Sequence, residues 1–214
     1  MLERVNFVII GEGSSDNGLV DHLEELCLMC GANEVSGVFV DYYRIPIEVR
    51  KGKSIEDQVG CALHHEPACN LIFIHRDSDS RNPKARLDEI KSSMDKIGNP
   101  RPYVRVVPVQ ELEAWLLTDE NMIRYAAGNP KGKIKLSLPK IKHIENTASP
   151  KEVLEKALTL ASGLSGRKLE KFKDGFGKKR RMLLLDLDPN GNISRLSSWT
   201  RLKEELTTVI AEEA

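Results

Sequence analysis

The sequence has few aromatic residues, few cysteines, no long apolar run and no net charge. Aromatic residues make up only 5% of the 214 residues, so the composition gives no sign of base stacking. No stretch approaches the roughly 20 consecutive apolar residues that a membrane-spanning helix needs. The 32 basic and 32 acidic side chains cancel, which excludes a uniformly basic nucleic-acid binder. The remaining composition, 40% hydrophobic and 30% charged, is that of an ordinary globular protein.

The sequence also lacks a recognisable secretory signal. Only a short, mostly apolar run over residues 5–10 precedes Gly11, and a signal peptide needs a longer apolar stretch after its basic start. We therefore expect a cytoplasmic protein that has no membrane partner.

The four cysteines favour core packing over metal binding. Cys27 and Cys30 fall on one helical stripe with leucines, which is typical of a buried helix face. Cys61 and Cys69 do not have a recognised zinc spacing. A zinc site is the alternative, and disulfides are disfavoured in a reducing compartment.

The zero net charge hides two halves of opposite sign. Residues 1–128 hold 14 basic and 21 acidic side chains, whereas residues 129–214 hold 18 basic and 11 acidic ones. The basic excess is concentrated between Lys131 and Arg181, where 15 basic side chains accompany only 5 acidic ones. This asymmetry indicates different roles for the two halves.

Apolar runs alternate with helical patterns along the first 120 residues. Compact apolar runs that stop at turns predict buried strands, and capping residues such as Ser54 mark the helices between them. The predicted strands cover 5–10, 35–40, 71–74 and 103–109, and the predicted helices cover about 14–30, 54–65, 83–97 and a stretch from 111. This alternation predicts an α/β fold with a mostly parallel, Rossmann-like sheet and helices on both faces.

The second half of the sequence has a different character. Residues 128–149 mix glycine, proline and lysine, and they predict a linker or an extended lobe. Helical patterns at 150–162 and 198–211, with a basic segment between them, predict a basic, mainly helical extension over 150–214. We therefore expect an α/β domain over 1–127, the linker over 128–149, and this C-terminal extension.

Acidic residues follow the predicted strands at the ends where parallel sheets bind ligands. Glu12 and Asp16 come after the first strand, and Asp77 and Asp79 come after the third. A parallel sheet would gather these carboxylates at one edge, where they cannot all stay ionised without a cation. Hard oxygen ligands favour Mg²⁺ or Mn²⁺. The alternative is that acidic residues follow strands because loops are solvated.

Two further residues extend this group. Glu113 follows the fourth predicted strand and is favoured over Glu111 as a ligand, because one of the two must face away from the sheet edge. His75 ends the third strand, and we expect it to be structural. Donation from His75 to a phosphate or to a ligating aspartate is the alternative.

These motifs resemble the Toprim domain of topoisomerases, primases and OLD-type nucleases. The resemblance rests on Glu12 and Asp16 after one apolar strand and on Asp77 and Asp79 after another. The stretch 111–119 is similar to a small stand-alone bacterial branch of unassigned function, and the motifs together span about residues 5–119. We expect neither a tyrosine-bearing cleavage domain nor a fused ATPase, so any ATPase would be a separate protein.

The resemblance implies roles for individual residues. Glu12 would act as general acid/base or metal ligand, and Asp77 and Asp79 would bind Mg²⁺. Asp16 matches a second acidic position of the OLD-type branch, and Glu113 would complete the metal shell. The domain over 1–127 would then be a Toprim-like, metal-binding catalytic domain.

The basic segment is expected to bring nucleic acid to that metal. Lys173 and Lys178 are the candidates to reach a scissile phosphate. The residues expected to bind the nucleic-acid backbone are Arg167, Lys168, Lys171, Lys179, Arg180 and Arg181. A plain solvated face is the alternative interpretation of this run.

Taken together, the sequence favours a Mg²⁺- or Mn²⁺-dependent phosphodiester hydrolase, a Toprim-like nuclease, with DNA favoured over RNA as its partner. The resemblance implies a role in bacterial defence or DNA repair, and it leaves a separate ATPase and a homodimer open. One alternative is a non-catalytic nucleic-acid- or partner-binding module with a Toprim-like core. The other is a phosphatase or nucleotide hydrolase that acts on small molecules.

Overall fold

The structure is a computed structural model that describes residues 3–98 and 101–212. Within these residues the strands are β1 (Arg4–Ile10), β2 (Glu34–Phe39), β3 (Leu71–His75) and β4 (Tyr103–Val106). The α-helices are α1 (Val20–Met29), α2 (Ile55–His65), α3 (Lys84–Ile97), α4 (Glu113–Leu116), α5 (Glu120–Ala126), α6 (Pro150–Ser162), α7 (Gly166–Lys173), α8 (Phe176–Leu185) and α9 (Ser197–Glu212). Short 3-10 helices cover Ser14–Leu19, Tyr42–Arg44, Ile141–Asn146 and Asn192–Arg195.

The strands of the described residues form one all-parallel sheet in the order β2-β1-β3-β4. β1 is central, with β2 on one side and β3 on the other, and Ile10 pairs with Ile74 near their carboxyl ends. This confirms the predicted α/β fold with a parallel sheet. β4 ends at Val106, earlier than the predicted residue 109. Pro108 accounts for the early end, because it has no N–H to continue the ladder.

One face of the sheet is covered by α2 and α3. Val8 of β1 and Ile74 of β3 pack in a buried core with Val59 of α2 and Ile90 of α3. The predicted cap of α2 is confirmed, since the Ser54 side chain accepts from the backbone N–H of Asp57 at 3.1 Å.

The opposite face carries the alternate residues of the same strands. Phe7 and Phe73 lie there with their ring centroids 4.8 Å apart in an edge-to-face arrangement. A right-handed crossover from β1 to β2 places α1 on this face, because β2 and β3 lie on opposite sides of β1.

Helix carboxylates bond to both edge strands of the sheet. Glu24 of α1 accepts from the backbone N–H of Gly37 in β2 at 2.7 Å. Glu205 of α9 accepts from the backbone N–H of Arg105 in β4 at 3.1 Å and from its side-chain Nε at 2.9 Å. These contacts satisfy edge groups that would otherwise be open to pairing with another chain.

The chain divides into two compact units. The first consists of Met1–Ser78, Asn82–Val107 and Thr200–Ala214, as far as these are described, and it contains the sheet. The second consists of Asp79–Arg81 and Pro108–Trp199, and its α-helices are α4 to α8 with the first residues of α9. The domain borders expected at residues 127 and 149 stay predictions.

The core of the second unit is built on two tryptophans. Trp115 and Trp199 are buried, and their rings meet edge to face with centroids 5.0 Å apart. The indole Nε1–H of Trp115 donates to Ser198 Oγ at 2.9 Å, so its one polar atom is satisfied inside the core. Both residues therefore serve packing, as the helical spacing of each tryptophan with neighbouring leucines indicates in the sequence.

The predicted burial of the cysteines is confirmed for Cys27, Cys61 and Cys69, whereas Cys30 is half-buried. Burial, with smaller contributions from Cys30 and Glu24, raises the pKa of the Cys27 thiol to about 12. A thiol with so high a pKa is a poor nucleophile at neutral pH. Among the described residues, no helix combines the length and apolar character needed to cross a membrane.

Glu145 anchors the start of α9 and gives a testable pH dependence. Its carboxylate accepts from the backbone N–H groups of Ser197 and Ser198, both at 2.9 Å, and from Ser197 Oγ at 2.7 Å. Burial alone would raise the pKa of Glu145, but the hydrogen bonds from both serines outweigh burial and lower it. A lowered pKa in the folded state stabilises the fold while the carboxylate is ionised.

We expect Glu145→Gln to lower the free energy of unfolding by about 1–2 kcal/mol at neutral pH, the usual cost of a lost N-terminal cap. The difference from wild type should shrink as the pH falls below about 4.3, the ordinary glutamate pKa, and through the lower folded-state pKa. Urea denaturation at several pH values measures this. Glu152→Gln, at an exposed i,i+4 pair with Lys156, is the matched control and should change little. A constant difference down to low pH would contradict the assignment.

Candidate acid–base and metal site

The candidate site lies at the carboxyl ends of β1 and β3. The chain leaves β1 towards β2 on one side and returns to β3 on the other, so the strand order reverses between these neighbours. Parallel α/β sheets bind ligands at such a switch point, beyond the carboxyl ends of the strands. Glu12 follows β1 there, and His75 is the last residue of β3.

The turn after β1 is organised around the side chain of Asp16. Asp16 is buried, and its Oδ2 accepts from the backbone N–H groups of Glu12 at 3.0 Å and Gly13 at 3.3 Å. The close approach requires glycine at position 11, because a Cβ there would lie 2.7 Å from Asp16 Oδ2. The turn therefore fixes the backbone from which the Glu12 side chain projects.

His75 lies between two carboxylates of the first unit. Its side chain is 1% exposed; Nδ1 lies 3.0 Å from Asp16 Oδ2, and Nε2 lies 3.6 Å from Asp77 Oδ1. Within the described chain, Nε2 has no partner at hydrogen-bond distance. Burial alone would lower the pKa of His75, but the charge and hydrogen bond of Asp16, together with Asp77, raise it to about 10. Asp16 and Asp77 thus stabilise the imidazolium form of the ring, whose charge opposes that of both carboxylates.

Residues that sequence reasoning did not select hold this arrangement in place. Arg76 is buried and donates to the carbonyl of His75 at 2.7 Å and to Gln58 Oε1 of α2 at 2.8 Å. Arg86 of α3 donates through Nε to the carbonyl of Asp77 at 2.9 Å. No periodicity or motif marks Gln58 or Arg86, since each acts through a side-chain contact with another element of the fold.

The pKa of Glu12 is raised. Neighbouring protein atoms desolvate part of its carboxyl, and the negative charge of Asp77 adds to the effect, against His75, Arg76 and Arg86, which lower the pKa. The residue as a whole remains exposed to solvent. An accessible carboxyl with a raised pKa beside a second carboxylate is suited to proton transfer.

Asp79 belongs to the second unit and has an unusual backbone. Both Asp79 (φ 50°) and Gln110 (φ 66°) are in the left-handed region that non-glycine residues rarely adopt. The Asp79 N–H donates to the Gln110 carbonyl at 2.9 Å, and the Gln110 N–H donates to the Ser80 carbonyl at 3.1 Å. These two backbone hydrogen bonds stabilise the strained conformation. Strained backbone of this kind clusters at functional sites.

Glu113 and Glu111 both have partners in the second unit. Glu113 Oε1 accepts from Arg180 Nε at 2.7 Å, and the two side chains are only 7% and 12% exposed. Glu111 Oε2 accepts from the backbone N–H of Lys151 at the start of α6, at 2.9 Å. The pairing of Glu113 with Arg180 competes with the metal role expected of Glu113 and with the phosphate role expected of Arg180.

The remaining basic candidates lie on or beside α7 and α8. Arg167, Lys168, Lys171, Lys178 and Arg181 are exposed. Lys173 is 51% exposed and lies 3.2 Å from Glu170, a surface pair of the kind that contributes little. Lys179 instead donates to the carbonyls of Phe172 and Gly175, so it closes the end of α7.

The first unit thus brings together three of the predicted acidic residues: Glu12, Asp16 and Asp77. Asp79, Glu113 and the basic candidates belong to the second unit, and their participation in the site stays a prediction. His75, expected to be structural, contacts two of the acidic residues directly.

A divalent cation fits the chemistry of Glu12 and Asp77 better than that of Asp16. Desolvation raises the pKa of Glu12 and the negative charge of Asp77 raises it further, so a cation between the two carboxylates would be stabilised. Asp16 is already engaged by His75 and by two backbone N–H groups. In the described part of the chain, no three His, Cys, Asp or Glu side chains are grouped closely enough to hold a metal alone. Mg²⁺ typically uses one or two carboxylates together with water and substrate phosphates.

Comparison with protein-family models gives no match, and neither the curated proteins nor the solved structures include a significant match to this chain.

Proposed function

We propose that this chain is a Toprim-like, Mg²⁺- or Mn²⁺-dependent phosphodiester hydrolase that acts on nucleic acid. The observation that carries the proposal is the grouping of Glu12, His75 and Asp77 at the switch point of the sheet. An acid–base group, a carboxylate that can ligate Mg²⁺ and a buried cation then lie together where α/β sheets bind ligands.

Each residue has a distinct role in this proposal. Asp77 would hold the metal together with the substrate phosphate, and the metal would neutralise that phosphate and activate water. Glu12, with its raised pKa, would accept the proton of the attacking water or protonate the leaving oxygen. Asp16 would act as a positioning residue, because it holds both the turn before Glu12 and the ring of His75.

The roles proposed for residues of the second unit are predictions from the sequence. Asp79 would be a further ligand, and the exposed lysines and arginines of α7 and α8 would bind the phosphate backbone. In this proposal Glu113 stays paired with Arg180 and does not bind the metal, since breaking a mostly buried ion pair is strongly destabilising. A role in defence or DNA repair with a separate ATPase rests on the resemblance alone.

Cleavage assays with the full chain test this function. Labelled single- and double-stranded DNA and RNA are incubated with Mg²⁺ or Mn²⁺, and EDTA should stop any hydrolysis. We expect Glu12→Gln to reduce the rate by roughly 100-fold, because general acid–base catalysis is typically worth 100-fold or more. Glu48→Gln, at an exposed glutamate of the same unit, should leave the rate unchanged.

The other outcomes discriminate between the alternatives. Salt-sensitive binding without metal-dependent cleavage would favour a non-catalytic binding module. Turnover of nucleotides without polynucleotide binding would favour a small-molecule phosphatase. Wild-type activity in Glu12→Gln would overturn the acid–base assignment.

A further inference from the structure

The second unit contains a cavity whose lining residues all belong to that unit. It has a volume of about 540 Å³ and is lined by residues of α6, α7 and α8. This volume falls within the roughly 300–1,000 Å³ of pockets that bind small molecules and cofactors. Its lining includes Leu158, Leu160, Phe172, Phe176, Lys156 and Lys173.

The aromatic residues of this cavity are unusually placed. Phe172 and Phe176 are two of only five phenylalanines in the chain, and both remain half-exposed. Phe7 and Phe73, by contrast, are fully buried in the sheet core. An aromatic ring that is left at the surface beside lysines offers a stacking face with cations next to it.

The charges that line the cavity favour an anionic ligand, because three lysines (Lys156, Lys173 and Lys179) accompany one carboxylate, that of Glu155. Lys156 and Lys173 lie on its rim, and each pairs with an exposed glutamate, Glu152 or Glu170. Because such exposed pairs contribute little free energy, each lysine can exchange its glutamate for a phosphate at little cost. The exposed basic side chains of α7 and α8 continue this positive surface beyond the cavity. An uncharged apolar ligand would make no ionic contact with these lysines.

Lys179 holds the ring of Phe172 in position. Its Nζ lies 4.0 Å from the centroid of the Phe172 ring and donates to the carbonyls of Phe172 and Gly175. Burial, with the charge of Lys178, lowers the pKa of Lys179. Lys179 therefore positions Phe172, and Phe176 is the ring on which a ligand is expected to depend most.

We propose that this cavity binds an unstacked base of a single-stranded nucleic acid, with Phe172 and Phe176 contacting the base and Lys156 and Lys173 contacting the flanking phosphates. The proposal rests on nucleic acid being the substrate of the proposed function, and it adds single strands as the substrate class. Bases paired in a duplex cannot enter such a cavity, whereas an unpaired base brings both a ring and a phosphate. The low aromatic content of the chain gives no sign of base stacking, but two phenylalanines that line the same cavity are enough to contact one base.

Fluorescence anisotropy in EDTA tests the proposal without any catalytic step. Wild-type protein is titrated with oligothymidylate, with an abasic strand of equal length and charge, and with a duplex. We expect oligothymidylate to bind at least about fivefold more tightly than the abasic strand, which corresponds to one stacked base at the low end of its usual range. Equal affinity for the two strands would overturn the proposal, and this comparison needs no variant.

Phe176→Leu then localises the effect. It keeps an apolar side chain and should lower the affinity for oligothymidylate to that of the abasic strand, while the abasic strand and the duplex are unaffected. Phe172→Leu is the second variant, and Lys133→Gln, at an exposed lysine of the same unit outside the cavity, is the control. A preference for oligothymidylate that survives in both phenylalanine variants would place the site elsewhere.

The two proposals can fail separately. Metal-dependent cleavage without a base-dependent affinity would remove the cavity proposal and keep the proposed function. Base-dependent binding without cleavage at any metal concentration would keep the cavity and remove the hydrolase.

Discussion

Asp77→Asn is expected to lower metal-dependent cleavage of nucleic acid by at least about 100-fold. The substitution preserves the shape of the side chain but removes the negative charge that would hold the cation beside the phosphate. Charge stabilisation by a catalytic metal is worth several kcal/mol, and each 1.4 kcal/mol corresponds to a factor of ten in rate. The Asp77 side chain is only 19% exposed and lies 3.6 Å from His75 Nε2, so circular dichroism and urea denaturation of Asp77→Asn are measured beside its rate to separate lost folding from lost catalysis.

Single-turnover cleavage of a labelled strand measures this effect across a series of Mg²⁺ concentrations. Asp95→Asn is the matched control, because Asp95 is an exposed aspartate on α3 that pairs with Lys91 on the surface of the same helix. We expect Asp95→Asn to retain the wild-type rate. A rate for Asp77→Asn within about threefold of wild type would exclude Asp77 from the reaction, since a ligand's loss must exceed that factor.

Trp115→Ala is expected to lower the free energy of unfolding by about 3–5 kcal/mol, the usual cost of deleting a buried large aromatic side chain. Trp115 is fully buried, packs edge to face on Trp199, and donates to Ser198 Oγ. Its removal leaves a cavity in the second unit and deprives the Ser198 hydroxyl of its donor. Urea denaturation followed by circular dichroism measures the change.

Two milder variants separate packing from hydrogen bonding. Trp115→Phe should cost less than Trp115→Ala, because the ring contact with Trp199 is largely kept. Ser198→Ala should cost about 1 kcal/mol, the usual net contribution of one hydrogen bond. A loss below about 1 kcal/mol for Trp115→Ala would contradict the placement of this residue at the centre of the unit.

The parts of the fold that depend on local sequence could be predicted. The apolar runs of β1 and β3, the Ser54 cap of α2 and the helical spacing of Trp115 and Trp199 were all visible, because each signal lies within a few residues. The neighbouring positions of Glu12 and Asp77 followed from the rule for parallel strand ends. These predictions used only periodicity and turn chemistry.

The parts that depend on distant side chains could not be predicted. Arg180 reaches Glu113 across 67 positions of the sequence, and nothing in the basic run distinguishes it from its neighbours. The left-handed backbone at Asp79 and Gln110 carries no glycine signal. The role of Asp16 also emerged only in three dimensions, since its bond to His75 spans 59 positions.

These contacts show which charged residues of each half have a partner and which remain exposed. In the acidic half, His75 and Arg76 compensate part of the carboxylate charge at the end of the sheet. In the basic half, Arg180 and Lys179 serve internal contacts, whereas the exposed residues of α7 and α8 form the positive surface. The halves therefore differ in chemistry and not only in net charge.

The most direct test of the central claim is the binding of Mn²⁺ to the full chain, measured by isothermal titration calorimetry at neutral pH. We predict that the wild-type protein and Asp95→Asn bind Mn²⁺ with equal affinity. Asp77→Asn should bind at least about tenfold more weakly, because a carboxylate ligand has been lost. Absence of binding to the wild-type protein, or equal affinity in Asp77→Asn, would contradict a metal site at the end of this sheet.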